Sequence, residues 1–388
     1  MRVLHVSAYY APAFSFGGPP RSIHGLCKAL RAAGCHIQVL TTDADGDSRL
    51  ASAHANAGEY EGVPVRYCPR SRPYRVLGSR ALADALPAEV ARVDLVHIHG
   101  LWNRVVWAAS RAAWRAGVPY VLSPRGMLDD GSLRHHGWRK TIVYPFTDRA
   151  VVQRAAAIHA TSAREADGVR PRAPGARVVV IPNGIDALPQ GAGTTRASLG
   201  LPAEGPLIVT VSRLHPVKRL DLLVDAFVDV RRVHPHAHLV IAGPDEHGLR
   251  PSLDARAAGA AHAITWAGAI DEASRDGLLS LASAFVMCSD SESFGLAALE
   301  AMRAGAPVLV TDTCGWAQVA DAGAGLVVPQ TRAALAAGLE RILADPQARQ
   351  TMGTRGRALA EGYGWPSVAE RFMTLYASLL EPRSGRPE

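Results

Sequence analysis

Several signatures are missing from this sequence of 388 residues, and each absence removes a class of protein. No apolar run approaches the roughly 20 residues that a membrane-spanning helix needs. No pair of cysteines is spaced C-x-x-C, and no His/Cys cluster has the spacing of a zinc site. The sequence also lacks a P-loop, a G-x-S-x-G motif and any nucleic-acid-binding module. We therefore expect no structural zinc, no serine-hydrolase chemistry and no nucleic-acid partner.

The cysteines are few and odd in number, which argues against a disulfide framework. Cys27, Cys35, Cys68, Cys288 and Cys314 are expected to be reduced thiols, most of them buried, in a reducing compartment. The opening stretch "MRVLHVSAYYAP" lacks a basic region followed by a long apolar stretch, and we interpret it as a first β-strand. A cytoplasmic location is the expectation.

The charge is unbalanced towards the basic side. The formal net charge is +7 and the sequence pI is about 9.4. Such a balance suits phosphorylated small molecules or an anionic membrane surface.

Short apolar strands alternate with amphipathic helices along almost the whole chain, which predicts an α/β protein. The pattern restarts after a stretch rich in Gly, Pro, Ala and Thr that follows Asn183. We predict two Rossmann-like, doubly wound parallel sheets facing one another across a cleft. The predicted domains are residues 1–185 and 186–365, and a final helix over 366–388 is expected to cross back to the first domain.

The stretch "SESFGLAALEAMRAGAPVLVTD" (291–312) places one acid before a glycine turn and another inside the helix that follows. The helix start offers free amides at Gly295 and Leu296 to an anion. Glu300 can accept hydrogen bonds from a ribose diol, and Glu292 can face a sugar. The alternative is that Asp290 or Ser291 caps the helix and both glutamates are solvated.

Two further loops of the second half carry candidate ligand-binding residues. In "VSRLHPVKRLDLLVDAF" (211–227), Arg213 and Lys218 precede a helix, where cations are unfavourable unless an anion is bound. "VIAGP" (240–244) ends a strand at Gly243. The alternatives are surface cations and an ordinary strand-ending turn.

The first half offers candidates after three strands. "FGGPPRSI" (16–23) is predicted to be a loop in which Gly17 and Gly18 allow close approach of a ligand, with Arg21 opening the next helix. "VHIHGLWNR" (96–104) carries His99, and "YVLSPRGML" (120–128) carries Arg125. The alternatives are a flexible Gly-Pro loop and strand-end histidines bonded to backbone.

Taken together, these motifs resemble family 4 retaining glycosyltransferases, which have the GT-B fold. The acidic E-x7-E context "ESFGLAALEAMRAGAPV" is the most specific part of the likeness. The resemblance implies a UDP- or GDP-sugar donor, a hydroxyl acceptor and no metal or other cofactor. It implies that Arg213 and Lys218 bind the diphosphate, Glu300 the ribose and Glu292 the donor sugar. Ser293, Phe294, Gly295, Leu296 and Gly243 are implied to line the same site.

One position departs from the family pattern. Many relatives carry a histidine where this sequence has Arg125, and "SPRGML" resembles a subset found in bacterial surface-polysaccharide pathways. His99 and Arg125 are the candidates for a role beside the reacting sugar. An "Asp43-Ala44-Asp45" stretch imitates a metal motif, but its setting is typical of a turn.

The acceptor is left open by the sequence. Basic segments at 69–75 and 134–145 suit a lipid-linked acceptor and peripheral contact with anionic lipid at the inner face of the plasma membrane, or they are solvated loops. A lipid-linked oligosaccharide in exopolysaccharide or O-antigen synthesis is the first hypothesis. A soluble small-molecule acceptor, a nucleotide-sugar epimerase and a non-catalytic nucleotide-sugar-binding protein are the alternatives.

Overall fold

The structure is a computed structural model that describes residues 1–72, 77–128, 144, 147–188 and 194–381. The chain divides into two compact units. The first unit consists of residues 1–184 and 365–388, and the second of residues 185–364. No helix in the described part of the chain is long and apolar enough to cross a membrane. The basic segment at 134–145 lies outside the described residues except for Tyr144.

The first unit is built on an eight-stranded sheet in the order β10-β9-β8-β7-β1-β2-β6-β5, parallel except for the edge strand β5. Strands β3 and β4 form a separate two-stranded antiparallel sheet. The strands are β1 (Arg2–Ser7), β2 (His36–Thr42), β3 (Ala44–Asp45), β4 (Ser48–Arg49), β5 (Glu59–Tyr60), β6 (Val63–Cys68), β7 (Leu95–His99), β8 (Tyr120–Ser123), β9 (Ala157–Ala160) and β10 (Val178–Val180).

Helices cover both faces of this sheet, as a parallel sheet requires. They are α1 (Gly18–Ala32), α2 (Ser52–Ala55), α3 (Arg80–Val90), α4 (Arg104–Arg115), α5 (Asp148–Gln153), α6 (Ala163–Val169) and, from the far end of the chain, α14 (Trp365–Leu380).

The start of α1 corrects the predicted Gly-Pro loop. The loop stops at Gly17, which has φ +80°, and the helix already begins at Gly18. The two prolines that follow have φ preset for a first helical turn, where their missing N–H costs nothing. Arg21 is therefore within the helix and its guanidinium lies 4.8 Å from the ring of Phe14.

The last helix completes the core of the first unit. Its apolar side packs with Ile23, Leu26 and Leu30 of α1. Trp365 fits into a space left by two glycines: a Cβ built on Gly25 or on Gly184 would lie 2.2 Å from its ring. Both positions therefore require glycine.

The second unit contains a six-stranded, fully parallel sheet in the order β13-β12-β11-β14-β15-β16. Its strands are β11 (Leu207–Val211), β12 (His238–Ala242), β13 (Ile264–Gly268), β14 (Ala284–Met287), β15 (Val308–Thr311) and β16 (Gly325–Val328). Its helices are α7 (Leu220–Val233), α8 (Arg250–Ala257), α9 (Glu272–Ser280), α10 (Leu296–Ala304), α11 (Gln318–Asp321), α12 (Arg332–Ala344) and α13 (Pro346–Glu361).

Both sheets reverse their strand order at one point, between β1 and β7 in the first unit and between β11 and β14 in the second. Ligands of open parallel sheets bind outside the carboxyl ends of the strands at such a reversal. The loops after β1, β11 and β14 carry Gly17, Arg213 and Glu292, and His99 is the last residue of β7. The topology therefore places the predicted residues of each unit at its expected ligand-binding edge.

Candidate active site

The amino end of α10 is the first element of the site in the second unit. Its N-cap is Gly295, with φ +79° and no side chain to cap the helix, so the alternative in which Asp290 or Ser291 caps it is wrong. A Cβ at Gly295 would lie 2.7 Å from Nε1 of Trp316, and Phe294 packs on the same indole ring. The start of α10 therefore keeps its N–H groups available to an anion.

Trp316 also lies at this site, although no motif in the sequence pointed to it. Its side chain is buried, and its Nε1–H has no hydrogen-bond partner among the described residues. A buried donor without an acceptor is rare and costly. Since it lies beside Gly295, it adds one more donor next to the helix start.

Glu292 and Lys218 form an ion pair in the second unit. Lys218 Nζ lies 2.5 Å from Oε1 of Glu292, and the Ser289 hydroxyl donates to the same oxygen at 2.7 Å. Both charged side chains are largely buried, with 20% of Lys218 and 13% of Glu292 exposed. The amide of Asp290 donates to the carbonyl of Val217 and joins their two loops. The pair predicted from separate motifs is thus one constellation.

Arg213 is placed differently from Lys218. It is more exposed, at 41%, and its Nη1 donates to Oε2 of Glu246 at 2.9 Å. Gly243 packs against Ser212, the residue before Arg213, because a Cβ built on Gly243 would be 1.9 Å from the carbonyl oxygen of Ser212. The buried Ser212 hydroxyl has no hydrogen-bond partner in the described structure. Gly243 therefore sets the path of the backbone that presents Arg213.

Glu300 lies in α10, where Arg275 Nη2 is 3.3 Å from its Oε1. Arg275 also approaches Asp276, and Asp276 accepts a hydrogen bond from Arg303 at 2.6 Å. These partners lie on α9 and α10, and no spacing in the sequence connected Arg275 to Glu300. Glu300 is therefore held in an ion-pair network and is not a solvated glutamate.

The first unit brings Arg125 and His99 together. Arg125 follows β8 with φ +58°, a conformation uncommon for a residue other than glycine. Its Nη2 donates to Nδ1 of His99 at 3.3 Å, and its Nη1 donates to Oδ1 of Asn183 at 2.8 Å and to Oγ of Ser22 at 3.3 Å. Two residues predicted from successive strand ends are thus in direct contact.

A chain of hydrogen bonds crosses the carboxyl end of the same sheet, and the donor and the acceptor of each bond can be assigned. His159 Nε2 must donate to the carbonyl of Ile181, so its Nδ1 accepts from the Ser123 hydroxyl. Ser123 then accepts from Nε2–H of His97, whose Nδ1 accepts from the Tyr376 hydroxyl. The partners of His97 and His99 are side chains, so the alternative of backbone-bonded histidines is wrong.

The ligand atoms of His5, His97 and His99 lie within 4.8 Å of one another, close enough to ask whether a metal fits. Both nitrogens of His97 are used in hydrogen bonds, and the rings of His5 and His99 are stacked, with centroids 5.2 Å apart. The Arg125 cation also donates to His99. Neither the geometry nor the charge suits a cation here.

Burial keeps these imidazoles neutral. It lowers the pKa of His5 to about 3 and that of His159 to about 3, with the Arg125 charge as the second cause in both. Burial likewise holds the pKa of His97 and of His99 well below its ordinary value. His99 therefore cannot act as a general acid near pH 7.

We expect stability to fall in mild acid because of these histidines. The unfolded chain protonates His159 near pH 6.5 and the folded chain only near pH 3, so the free energy of unfolding decreases as the pH falls through that window. Each such histidine contributes a slope of about 1.4 kcal/mol per pH unit.

Urea denaturation at several pH values between 7 and 5 tests this expectation. His159→Gln should show a shallower pH slope than the wild type, whereas the same change at the exposed His54 should leave the slope unchanged. An identical slope in His159→Gln would contradict the assignment of a neutral, buried imidazole.

The comparisons with known proteins cover both units. Residues 17–184 match the family "Glycosyl transferase 4-like domain", and residues 192–359 match "Glycosyl transferases group 1". D-inositol 3-phosphate glycosyltransferase of Kineococcus radiotolerans is 30% identical over 371 residues, 85% of this chain and 81% of the relative. Glycogen synthase of Mycobacterium tuberculosis is 30% identical over 410 residues, 97% of this chain and 94% of the relative.

The fold has solved counterparts. Anabaena HepE, solved in complex with UDP and glucose, superimposes with a TM-score of 0.77 at 20% identity, covering 97% of this chain and all of the counterpart. Two Rossmann-type parallel sheets of this kind are the GT-B fold. The two family matches define the chain as a glycosyltransferase that uses a nucleotide-sugar donor. The predicted α/β, GT-B fold is confirmed.

The chain belongs to the group 1, or family 4, retaining glycosyltransferases. Family membership confirms that it is an enzyme of this class, so the epimerase and the non-catalytic binding protein are set aside. The buried, free cysteines also agree with the prediction made from their number and spacing.

Proposed function

We propose that this enzyme transfers a hexosyl-type unit from a UDP- or GDP-sugar to a hydroxyl acceptor without a metal ion. The observation that carries the proposal is the buried Lys218–Glu292 pair, in the unit whose helix α10 begins without a side-chain cap. A diphosphate gains negative charge as the glycosidic bond breaks. Lys218, Arg213 and the amides of Gly295 and Leu296 supply the positive groups that stabilise it.

The acids and small residues of the second unit hold the rest of the donor in this proposal. Glu300 accepts from the ribose hydroxyls while Arg275 fixes its carboxylate. Glu292 accepts from the donor sugar while Lys218 and Ser289 fix it. Ser293, Phe294 and Gly243 line the same site.

The acceptor side belongs to the first unit, where Gly17, Gly18, Arg21, His99 and Arg125 lie at or near the carboxyl ends of the strands. In a same-face attack, the acceptor oxygen forms a bond to the anomeric carbon while the bond between that carbon and the diphosphate oxygen breaks. The acceptor proton passes to the departing phosphate. His99 is not needed as a base, which agrees with its depressed pKa.

The acceptor that we favour is a lipid-linked oligosaccharide of bacterial exopolysaccharide or O-antigen synthesis. The "SPRGML" likeness supports it, and so does the outer face of α4. That helix has no acidic residue and exposes Arg104, Arg111, Arg115 and Trp114, which is 55% exposed. Arginines with an exposed tryptophan suit an anionic bilayer surface at the inner face of the plasma membrane.

A soluble acceptor is the second candidate. The inositol 3-phosphate glycosyltransferase is a relative whose named acceptor is a small phosphorylated molecule. The basic face of α4 would then be an ordinary solvated surface.

One experiment tests donor and acceptor together. The purified enzyme is screened by thermal shift against UDP- and GDP-linked sugars, since a ligand that binds only the native state raises the melting temperature. Transfer from the best donor is then compared between an acceptor in anionic liposomes and a soluble phosphorylated acceptor. Liposome binding at low salt that is lost in Arg111→Gln/Arg115→Gln supports the membrane-linked acceptor. Turnover of the soluble acceptor without liposome binding contradicts it.

A further inference from the structure

Among the described residues, no carboxylate forms an ion pair with the guanidinium of Arg125. Its hydrogen bonds go to Asn183, Ser22 and His99, all of them neutral groups. Glu165 affects the Arg125 guanidinium only electrostatically, through its charge. The oxygens of Glu165 accept instead from the amide of Gly126 at 2.6 Å and from the amide and hydroxyl of Thr161 at 2.7 and 2.6 Å.

Arg125 also has unused donor capacity. A guanidinium offers five N–H groups, and here Nε is buried without a partner in the described structure. Burying a cation without an ion partner is costly, and the left-handed backbone of Arg125 adds further strain. Both costs would be offset by an anion that accepts from the guanidinium.

The histidines next to it have a fixed orientation. Arg125 can only donate, so Nδ1 of His99 accepts and the neutral His99 carries its proton on Nε2. That proton is donated to Nδ1 of His5 at 3.0 Å, which leaves His5 with an Nε2–H. This second N–H is fully buried and has no partner in the described part of the chain. His99 therefore holds the guanidinium in place through its lone pair.

We propose that Arg125 is a binding residue for a phosphoryl group in the first unit and that His99 is its positioning residue. The proposal rests on the proposed function, in which this unit receives a substrate. A planar fork of donors matches phosphate oxygens two at a time. The phosphoryl group comes either from the acceptor or from the donor diphosphate, and the two sources are separable by experiment.

The test uses inorganic phosphate as the probe and calorimetric titration of the full chain. Arg213→Gln/Lys218→Gln removes the two cations assigned to the donor diphosphate and should still bind phosphate within about threefold of the wild type. Adding Arg125→Gln to that variant should weaken phosphate binding at least tenfold. Unchanged phosphate affinity on adding Arg125→Gln overturns the proposal, as does a Arg213→Gln/Lys218→Gln variant that binds no phosphate.

Further variants test whether Arg125→Gln folds, where the phosphoryl group comes from and whether His99 positions Arg125. If Arg125→Gln does not fold, Arg125→Lys keeps the charge without the fork and should weaken phosphate binding severalfold. A tenfold loss of UDP affinity in Arg125→Gln assigns the phosphoryl group to the donor, and unchanged UDP affinity assigns it to the acceptor.

For His99, the measured quantity is again phosphate affinity in the Arg213→Gln/Lys218→Gln variant. His99→Leu removes the acceptor and should weaken binding severalfold, whereas His99→Asn keeps an oxygen near the Nδ1 position and should restore most of it. Equal effects of the two changes contradict the positioning role. If the wild-type enzyme transfers sugar but the phosphate titrations give the contradicting results, this inference alone is overturned. If the wild-type enzyme binds no nucleotide sugar, the proposed function is overturned instead.

Discussion

Lys218→Met should lower kcat/KM for glycosyl transfer about 10²–10³-fold, the cost of removing one preorganised group that stabilises charge in a transition state. Lys218 is 20% exposed and lies 2.5 Å from Glu292, so its ammonium is positioned before any donor binds. Methionine keeps much of the side-chain volume and removes the charge. Steady-state kinetics with the donor found in the thermal-shift screen measures the effect.

Arg213 should be the weaker partner of the two. It is 41% exposed and paired with Glu246, so it must give up that partner to reach a diphosphate. Arg232, 74% exposed, is a matched control, and Arg232→Met should leave kcat/KM within a factor of two. If Lys218→Met retained wild-type donor affinity and turnover, the assignment of the diphosphate site would be wrong.

Gly243→Ala should destabilise the second unit by about 3 kcal/mol and abolish most activity. A Cβ at Gly243 would lie 1.9 Å from the carbonyl oxygen of Ser212 and 3.1 Å from the amide of Arg213. Backbone atoms cannot rotate away as a side chain can, so the strand end that carries Arg213 must move. The expected cost combines overpacking with a backbone at φ +147°.

Gly248 is the control for this change. It also has a positive φ, +63°, but nothing lies within 4 Å of a Cβ built there. Gly248→Ala should therefore cost only the backbone strain, about 1–2 kcal/mol, and retain activity. The comparison uses urea midpoints followed by tryptophan fluorescence. Equal midpoints for the two variants would show that the contact with Ser212 relaxes without cost.

The sequence predicted those parts of the fold that depend on residues close together in the chain. Short buried strands alternate with helices through both units, and the helix expected after the glycine turn begins at Leu296, as the apolar periodicity and the turn residue indicate. The E-x7-E stretch was found for the same reason, because Glu292 precedes one turn and Glu300 lies in the helix that follows it.

The interactions that the sequence did not predict join residues far apart in the chain. Tyr376 donates to His97 across 279 positions, and Arg275 reaches Glu300 from another helix. Trp316 meets Gly295 only because two loops follow neighbouring strands. The start of α1 was missed for a different reason: Pro19 and Pro20 resembled loop residues, although proline is also a good first-turn residue.

The discontinuous make-up of the first unit has a consequence for biosynthesis. The second unit is encoded without interruption, so it can reach its native state while the ribosome is still translating the message. The first unit must wait for Trp365 and the helix that follows, which fill the space beside Gly25 and cover Ile23 and Leu26. A premature stop codon shortly before position 365 would yield a polypeptide with that apolar surface uncovered, a substrate for chaperones and proteases.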